Sequence, residues 1–193
     1  MRIAVIGTGN IGGTLGQRFQ GAGHEVVYGG RSAGARGPGG APVLAVGDAL
    51  AGAAVVLLAV PGPAVAEVIG PHGTALDGKV VIDATNNIGA AEVDSRAAVT
   101  AAAPGAYYAR AFNTLGWENF ADPPPGAVLF YAADAGARPA TEELITAVGL
   151  EPVLVGDAGA IGTVDALLPL WFALVRQHGG NRRIALRITQ VTR

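Results

Sequence analysis

Gly7, Gly9 and Gly12 stand in the spacing G-x-G-x-x-G immediately after the apolar run "RIAVI" (2–6). Each glycine answers a different steric demand. Gly7 permits a tight turn, Gly9 lets a ligand approach the backbone, and Gly12 lets the following helix pack against the strand. The unpaired N–H groups and partial positive charge of that helix N-terminus suit a pyrophosphate. About twenty residues further on, "VVYGGRS" (26–32) runs out where an acidic residue commonly binds ribose hydroxyls. Gly30, Arg31 and Ser32 occupy that place here. A carboxylate would repel a 2′-phosphate, whereas a guanidinium grips it with two parallel hydrogen bonds. Gly30 removes bulk, Ser32 adds a hydroxyl donor, and Arg36 can lie on the phosphate or over an adenine face. The pattern predicts a site for NADP(H).

Absences narrow what a bound nicotinamide would react with. Lys79 is the single lysine, at the strand end opposite the expected crevice, and no Tyr-x-x-x-Lys pair exists. His24, His72 and His178 lack partners spaced for a metal or a nucleophilic triad, and there is no cysteine. Asp83, with Asn86 and Asn87, either orients ligand amides or forms a turn cluster. No catalytic residue and no metal site are assigned. An acceptor that is itself a redox ring needs proximity and orientation rather than an acid or base. Hydride exchange between NADP(H) and a second cofactor is therefore the first reading. Its alternatives are an NADPH-dependent reductase of another small molecule and a non-catalytic NADPH-binding redox sensor.

The elements that must hold these residues alternate β-branched runs with alanine-rich segments, which predicts βαβ units and a mostly parallel sheet. Strands are expected at 2–7, 24–30, 53–61, 79–87, 107–114, 127–134 and 151–157. Helices are expected at 12–22, 64–69, 90–103, 139–148 and 161–177. The glycine- and proline-rich 33–42 reads as a loop crossover, and 183–189 as a final strand or helix. The fold class is a doubly wound α/β Rossmann domain, one unit over 1–193, ending in a C-terminal helix.

Half of the 193 residues are hydrophobic and 15% are charged, enough apolar matter for a packed core. A formal net charge of −2 offers no electrostatic footprint for nucleic acid or for an anionic membrane. The longest apolar stretch, 159–175, contains Asp165 and Pro169 and reads as a buried helix rather than a membrane span. The opening apolar run is too short for a signal sequence, so a cytoplasmic protein is expected. Leu167, Leu168, Leu170, Trp171, Leu174 and Val175 spread over more than one helix face. That pattern predicts a two-fold homodimer pairing these helices, unless 153–159 and 183–188 wrap the second face within one chain.

Taken together, "MRIAVIGTGNIGGTLGQRFQGAGHEVVYGGR", "LLAVP", "GKVVIDATN" and "ARAFNTLGWENF" resemble the NADPH-dependent reductases of the deazaflavin coenzyme F-420. The cytosolic domains of the STEAP metalloreductases share that fold. The resemblance implies that Thr8, Gly9, Asn10 and Ile11 hold the pyrophosphate and Arg31 the 2′-phosphate. It implies that Val60, Pro61 and Asn86 line the nicotinamide. Phe112, Asn113 and Thr114 would close the crevice where F-420, or a flavin-like partner, would lie. The resembling reductases also pair through the C-terminal region. This chain departs from them at Gly62 and Pro63, where an aromatic usually follows "AVP". It departs again at Gly30, which replaces a serine, and at Asp165 and Leu168 near the C-terminus.

Overall fold

A computed structural model describes residues 1–189. Eight strands form one sheet: β1 (Arg2–Ile6), β2 (Glu25–Gly29), β3 (Val43–Leu44), β4 (Val55–Leu58), β5 (Val80–Asp83), β6 (Tyr107–Arg110), β7 (Val128–Ala133) and β8 (Glu151–Gly156). Their order is β3-β2-β1-β4-β5-β6-β7-β8. The first six run parallel, β7 is antiparallel to β6, and β8 is parallel to β7. The chain winds outward from β1 through β2 to β3, then returns to the other side of β1 at β4. That reversal opens a crevice beyond the carboxyl ends of β1 and β4.

Alternate residues of the central strands feed two separate cores, as a strand buried on both faces requires. Ile3, Val5, Val55, Leu57, Ile82 and Ala109 face one side and are sealed by Leu15 and Phe19 of α1 (Asn10–Gly21). Phe120 of α5 (Trp117–Ala121) joins that side with Leu144, Ile145 and Val148 of α6 (Arg138–Val148). Ala4, Ile6, Val56, Leu58 and Val81 face the other side. There they meet α2 (Val46–Leu50), α3 (Val65–Ile69), α4 (Arg96–Ala102) and α7 (Ile161–Asp165). The doubly wound architecture follows from this division.

Several boundaries differ from the sequence expectation. The second crossover is not all loop, because β3 and α2 follow residues 33–42. Leu50 and Ala49 are fully buried, so a single helical turn suffices to seal Ile6 and Val27. The helix expected at 90–103 begins only at Arg96, since 90–95 form a loop whose Ser95 N–H is taken by Asp83. Residues 111–114 leave the sheet after Arg110, and the unexpected α5 follows. The C-terminal helix is broken at Ala166 into α7 and α8 (Leu167–Gln177). Residues 183–189 form neither a strand nor a helix, only one bridge from Leu186 to Val128.

That C-terminal segment corrects the expectation about Trp171. The ring is 6% exposed, its Nε1 donates to the Ile184 carbonyl at 3.0 Å, and the Arg182 guanidinium lies 5.1 Å from its centroid. The second face of α8 is thus partly wrapped within the chain, with Ile184 and Leu186 enclosing Trp171 and Leu174 against Val128 and Phe130. The opposite face is not buried, as the helix was expected to be. Within Ala158–Gln177 only 33% of the most apolar 18-residue window is buried, and by length and composition the stretch is apolar enough to cross a bilayer, that window having a mean hydropathy of 1.7. Trp171→Ala should lower stability by roughly 3–5 kcal/mol, the usual cost of emptying a buried aromatic site, as read by urea unfolding. A stable, folded Trp171→Glu protein would instead put this ring at a subunit interface.

Candidate functional site

The loop after β1 shows the steric need for glycine at two of the three positions, Gly7 and Gly12. Gly7 has a φ of +114°, and a Cβ there would stand 2.5 Å from the Ala59 carbonyl oxygen. A Cβ on Gly12 would stand 2.3 Å from the Gly7 carbonyl oxygen, so the loop and the start of α1 touch through backbone. Gly9 is different: nothing lies within 4 Å of its absent Cβ. It caps α1 without any side-chain bond to the helix, and Thr8, Gly9 and Asn10 are exposed beside the free N–H groups. The space over Gly9 is therefore open for a ligand, whereas Gly7 and Gly12 are needed by the protein itself. Ile11 is half-buried against the core on the α1 side.

Beyond β2 the residues expected to meet a phosphate come together. Thr8, Gly30, Arg31, Ser32 and Arg36 line one cavity of about 410 Å³. Arg36 is tied by its guanidinium to the Gly40 carbonyl at 2.8 Å, and its backbone bridges to Pro42. Arg31 and Ser32 are exposed, and their side chains make no hydrogen bond among the described residues. This half of the crevice is open, basic and built on glycine-rich loops.

The other half is built from a buried polar network at the carboxyl ends of β5 and β6. Arg110 and Asp83 are neighbours in the ladder and both fully buried, with NH1 3.2 Å from Asp83 Oδ2. The same guanidinium donates to the Thr85 carbonyl at 2.6 Å, to Asn86 Oδ1 at 3.1 Å and to Asp165 Oδ1 at 2.8 Å. Asp83 accepts further from the Thr85 and Ser95 N–H groups and from the Thr85 and Tyr108 hydroxyls. Asn86 donates to the Asn113 carbonyl, and Asn113 donates through Nδ2 to Asp165 Oδ1, each at 2.8 Å. Asp83 is thus the structural member of the pair of readings left open for it, and it has no lone pair left for a ligand.

Phe112 sets the path of this wall. It is the single non-glycine residue with positive φ among those described, at 63°, a conformation that costs a Phe roughly 1–2 kcal/mol. Its fully buried ring packs edge-on between Phe19 and Phe120, which holds it there and turns Asn113 back towards Asn86. Val60 and Pro61 follow β4 at the mouth of the crevice, Val60 half-buried and Pro61 exposed. Gly62 is buried, and a Cβ there would stand 2.9 Å from the Asn87 backbone. The loop after β5 fills the room that an aromatic at this position would need.

Electrostatics follow from one cation facing two carboxylates. Burial pushes the Asp165 carboxyl above its ordinary range, outweighing the downward pull of Arg110, and Asp94 and Asp83 push the same way. Burial and the adjoining Asp83 raise the Tyr108 hydroxyl well above its usual value. The sequence reading passed over Arg110 and took Asp165 only as a departure from the family pattern; the structure joins the two. The available signal was an arginine inside "YYARAF", since a charge in a strand buried on both faces must be paired.

Residues 2–87 match the family model described as NADP oxidoreductase, coenzyme F-420-dependent. The fold is that of a protein from Arthrobacter sp. described as an F-420-dependent NADP reductase, at 24% identity and a TM-score of 0.85, covering 98% of this chain and 100% of that one. A hypothetical protein from Sinorhizobium meliloti is 30% identical with a TM-score of 0.70, covering 84% of this chain and 88% of the other. A reductive aminase from Aspergillus terreus, solved with NADPH and ethyl-5-oxohexanoate, shares the fold at 22% identity and a TM-score of 0.72. The match takes in 91% of this chain and 62% of the longer aminase. No curated protein matches the chain.

The raised Asp165 has a consequence for stability. The native state holds this proton more tightly than the unfolded chain, whose carboxyl titrates near 3.8. The contribution is therefore complete below that value and is lost as pH rises through the raised one. Relative to Asp165→Asn, the wild type should lose stability as the pH is brought from below 4 towards neutral, measured as paired urea midpoints. A constant gap between the two proteins would mean that Asp165 titrates at its ordinary value.

Proposed function

We propose that this chain is an NADP(H)-dependent oxidoreductase with its cofactor across the carboxyl edge of the sheet, a reading supported by the match of residues 2–87 to the F-420-dependent NADP oxidoreductase family model. The observation that supports it most is the convergence of Thr8, Arg31, Ser32 and Arg36 on one cavity beside the open Gly9. In this reading the N–H groups around Gly9, Asn10 and Ile11 hold the pyrophosphate, with Gly7 and Gly12 shaping the turn. Arg31, Ser32 and Arg36 grip the 2′-phosphate. Val60, Pro61, Asn86 and Asn113 position the nicotinamide. The reduced cofactor supplies a hydride there, and the protein orients the acceptor and excludes water.

The acceptor we propose first is a planar redox ring, F-420 or a flavin, which asks the protein for stacking and alignment only. A second reading has a specific observation behind it. Asp165, paired with Arg110 at the carboxyl end of β6, keeps 11% of its side chain exposed and can hold a proton at its second oxygen. Reduction of a carbonyl or imine needs such a donor, so a small-molecule reductase is the alternative. Self-association stays within the proposal, through the exposed Leu170 side of α8 rather than through Trp171.

Two measurements test this. Arg31→Ala should weaken NADPH about tenfold to a hundredfold and leave NADH nearly unchanged, since a charge-assisted contact of about 1.5–3 kcal/mol is removed from the phosphate alone. Gly9→Val should abolish binding of both without altering the unfolding midpoint, because the added atoms enter ligand space. Equal losses from Arg31→Ala would move that residue off the phosphate. NADPH oxidation assayed with F-420, FMN, FAD and small ketones or imines then chooses the acceptor. Turnover only with the rings supports the first reading, turnover only with carbonyl or imine substrates the second, and tight binding without any turnover a sensor.

A further inference from the structure

Tyr28, the fourth residue of β2, is fully buried, with one glycine at its Cε1 edge and another at its Cδ2 edge. Gly16 lies inside α1, where a Cβ would overlap the Tyr28 hydroxyl and stand 2.8 Å from Cζ. Gly37 lies beyond β2, where a Cβ would stand 2.8 Å from Tyr28 Cδ2 and 3.2 Å from Cε2. Neither glycine has a positive φ, so each is needed for room and not for backbone conformation. The pattern recurs at Gly13 of α1, where a Cβ would stand 3.0 Å from Pro38 Cγ. The Tyr28 hydroxyl is 3.5 Å from the Gly13 carbonyl, too long for a strong bond, so packing rather than polarity seats this ring.

The segment that carries Gly37 is a closed hairpin. Gly34 N–H donates to the Val43 carbonyl at 2.9 Å, Val43 N–H to Ala35 at 3.0 Å and Gly37 N–H to Ala41 at 2.8 Å. The Arg36 guanidinium adds its bond to Gly40. A segment bonded to itself in this way shifts as one piece. It also supplies one wall of the phosphate cavity, where Ala35, Arg36 and Pro38 join Thr8, Arg31 and Ser32. Tyr28, without exposed surface, stands behind that wall.

We propose that Tyr28 is the positioning residue of this wall. Its ring, wedged between α1 and the hairpin, fixes where Arg36 stands and so how strongly the cavity prefers a 2′-phosphate to a 2′-hydroxyl. The inference rests on the NADP(H) reading above and adds to it a residue that no ligand touches. Its physical ground is preorganisation: a guanidinium already held in place loses less freedom on meeting a phosphate. The helix that offers its N-terminus to the pyrophosphate thereby sets, through Tyr28, the position of the opposite wall.

The probes are NADP⁺, NAD⁺ and the pair NADPH and NADH, each pair differing only in the 2′-phosphate, with affinities measured by calorimetry. Gly37→Ala sets a methyl group against a ring that Gly16 stops from yielding, so the hairpin must move. The preference for the phosphorylated nucleotide should fall about tenfold, the worth of one charge-assisted hydrogen bond, with NAD⁺ affinity and the unfolding midpoint unchanged. Tyr28→Phe keeps the ring and should keep the preference. Tyr28→Val removes the ring and should lose the preference. In that background Gly37→Ala should cost nothing further, because its methyl group has room. Should Tyr28→Val fail to fold, the ratios in Gly37→Ala and Tyr28→Phe decide. A Gly37→Ala protein with the wild-type preference would overturn the inference, and so would a Tyr28→Phe protein that loses it. Equal losses for both nucleotides, or an alanine effect that persists in full without the Tyr28 ring, would overturn it as well. A wild type that binds none of these nucleotides would overturn the dinucleotide reading itself, and this inference with it.

Discussion

A guanidinium without any exposed surface governs this structure. Arg110 ends β6 in the same ladder row as Asp83 of β5, and burial of that charge is tolerable only while every N–H and its countercharge are satisfied. Two carboxylates, two backbone carbonyls and one amide meet the demand. Those partners come from two places outside β6: the β5 strand end with its loop, and the last residue of α7. The docking of α7 over the sheet and the course of residues 84–95 are consequences of neutralising one cation. Removing either partner would leave a buried charge uncompensated, which typically costs several kcal/mol. The pair is thus a stronger constraint on geometry than a contributor to stability.

The crevice consequently has two halves of different physical character. The phosphate half is mostly backbone: turn glycines and unpaired helix N–H groups, with Arg31 exposed and Arg36 held by its guanidinium to the Gly40 carbonyl. The opposite half is a closed network of side chains with fixed hydrogen-bond directions, backed by Phe112 in a left-handed conformation that only tight aromatic packing maintains. An exposed anion clamp suits a charged group whose attraction is strong and weakly directional. A rigid wall suits a neutral planar ring, for which alignment is the whole of the protein's contribution.

How much of this was legible in the sequence divides along the same line. The glycine loop, Arg31, Ser32 and Arg36 were readable because local spacing alone brings them together, within one βαβ unit. The parallel sheet was readable from its β-branched runs, each buried on both faces. Asn86 and Asn113 were reached only through a family resemblance. Arg110 was passed over because its meaning lies in contacts 25 to 55 positions away, with Thr85, Asp83 and Asp165. The α8 segment was misjudged for a related reason. Periodicity shows that a helix has two apolar faces, but it does not show that 182–186 return to cover one of them through backbone carbonyls and an arginine stacked on indole. The two short elements α2 and α5 are five residues each, below the length at which a helical period can be recognised.

Asp165 shows why the distinction matters for function. In the sequence it reads only as a departure from a family pattern. In the fold, its Oδ1 is committed to Arg110 and Asn113 while its other oxygen stays free, and burial holds its proton more tightly than usual. One substitution therefore does two things. It supplies the countercharge that lets Arg110 remain buried, and it places a proton-holding group beside a crevice otherwise poor in acids and bases. The network that imposes rigidity on this wall is also the one place where the site departs from pure alignment, and the nature of the hydride acceptor turns on which of those two properties the chemistry uses.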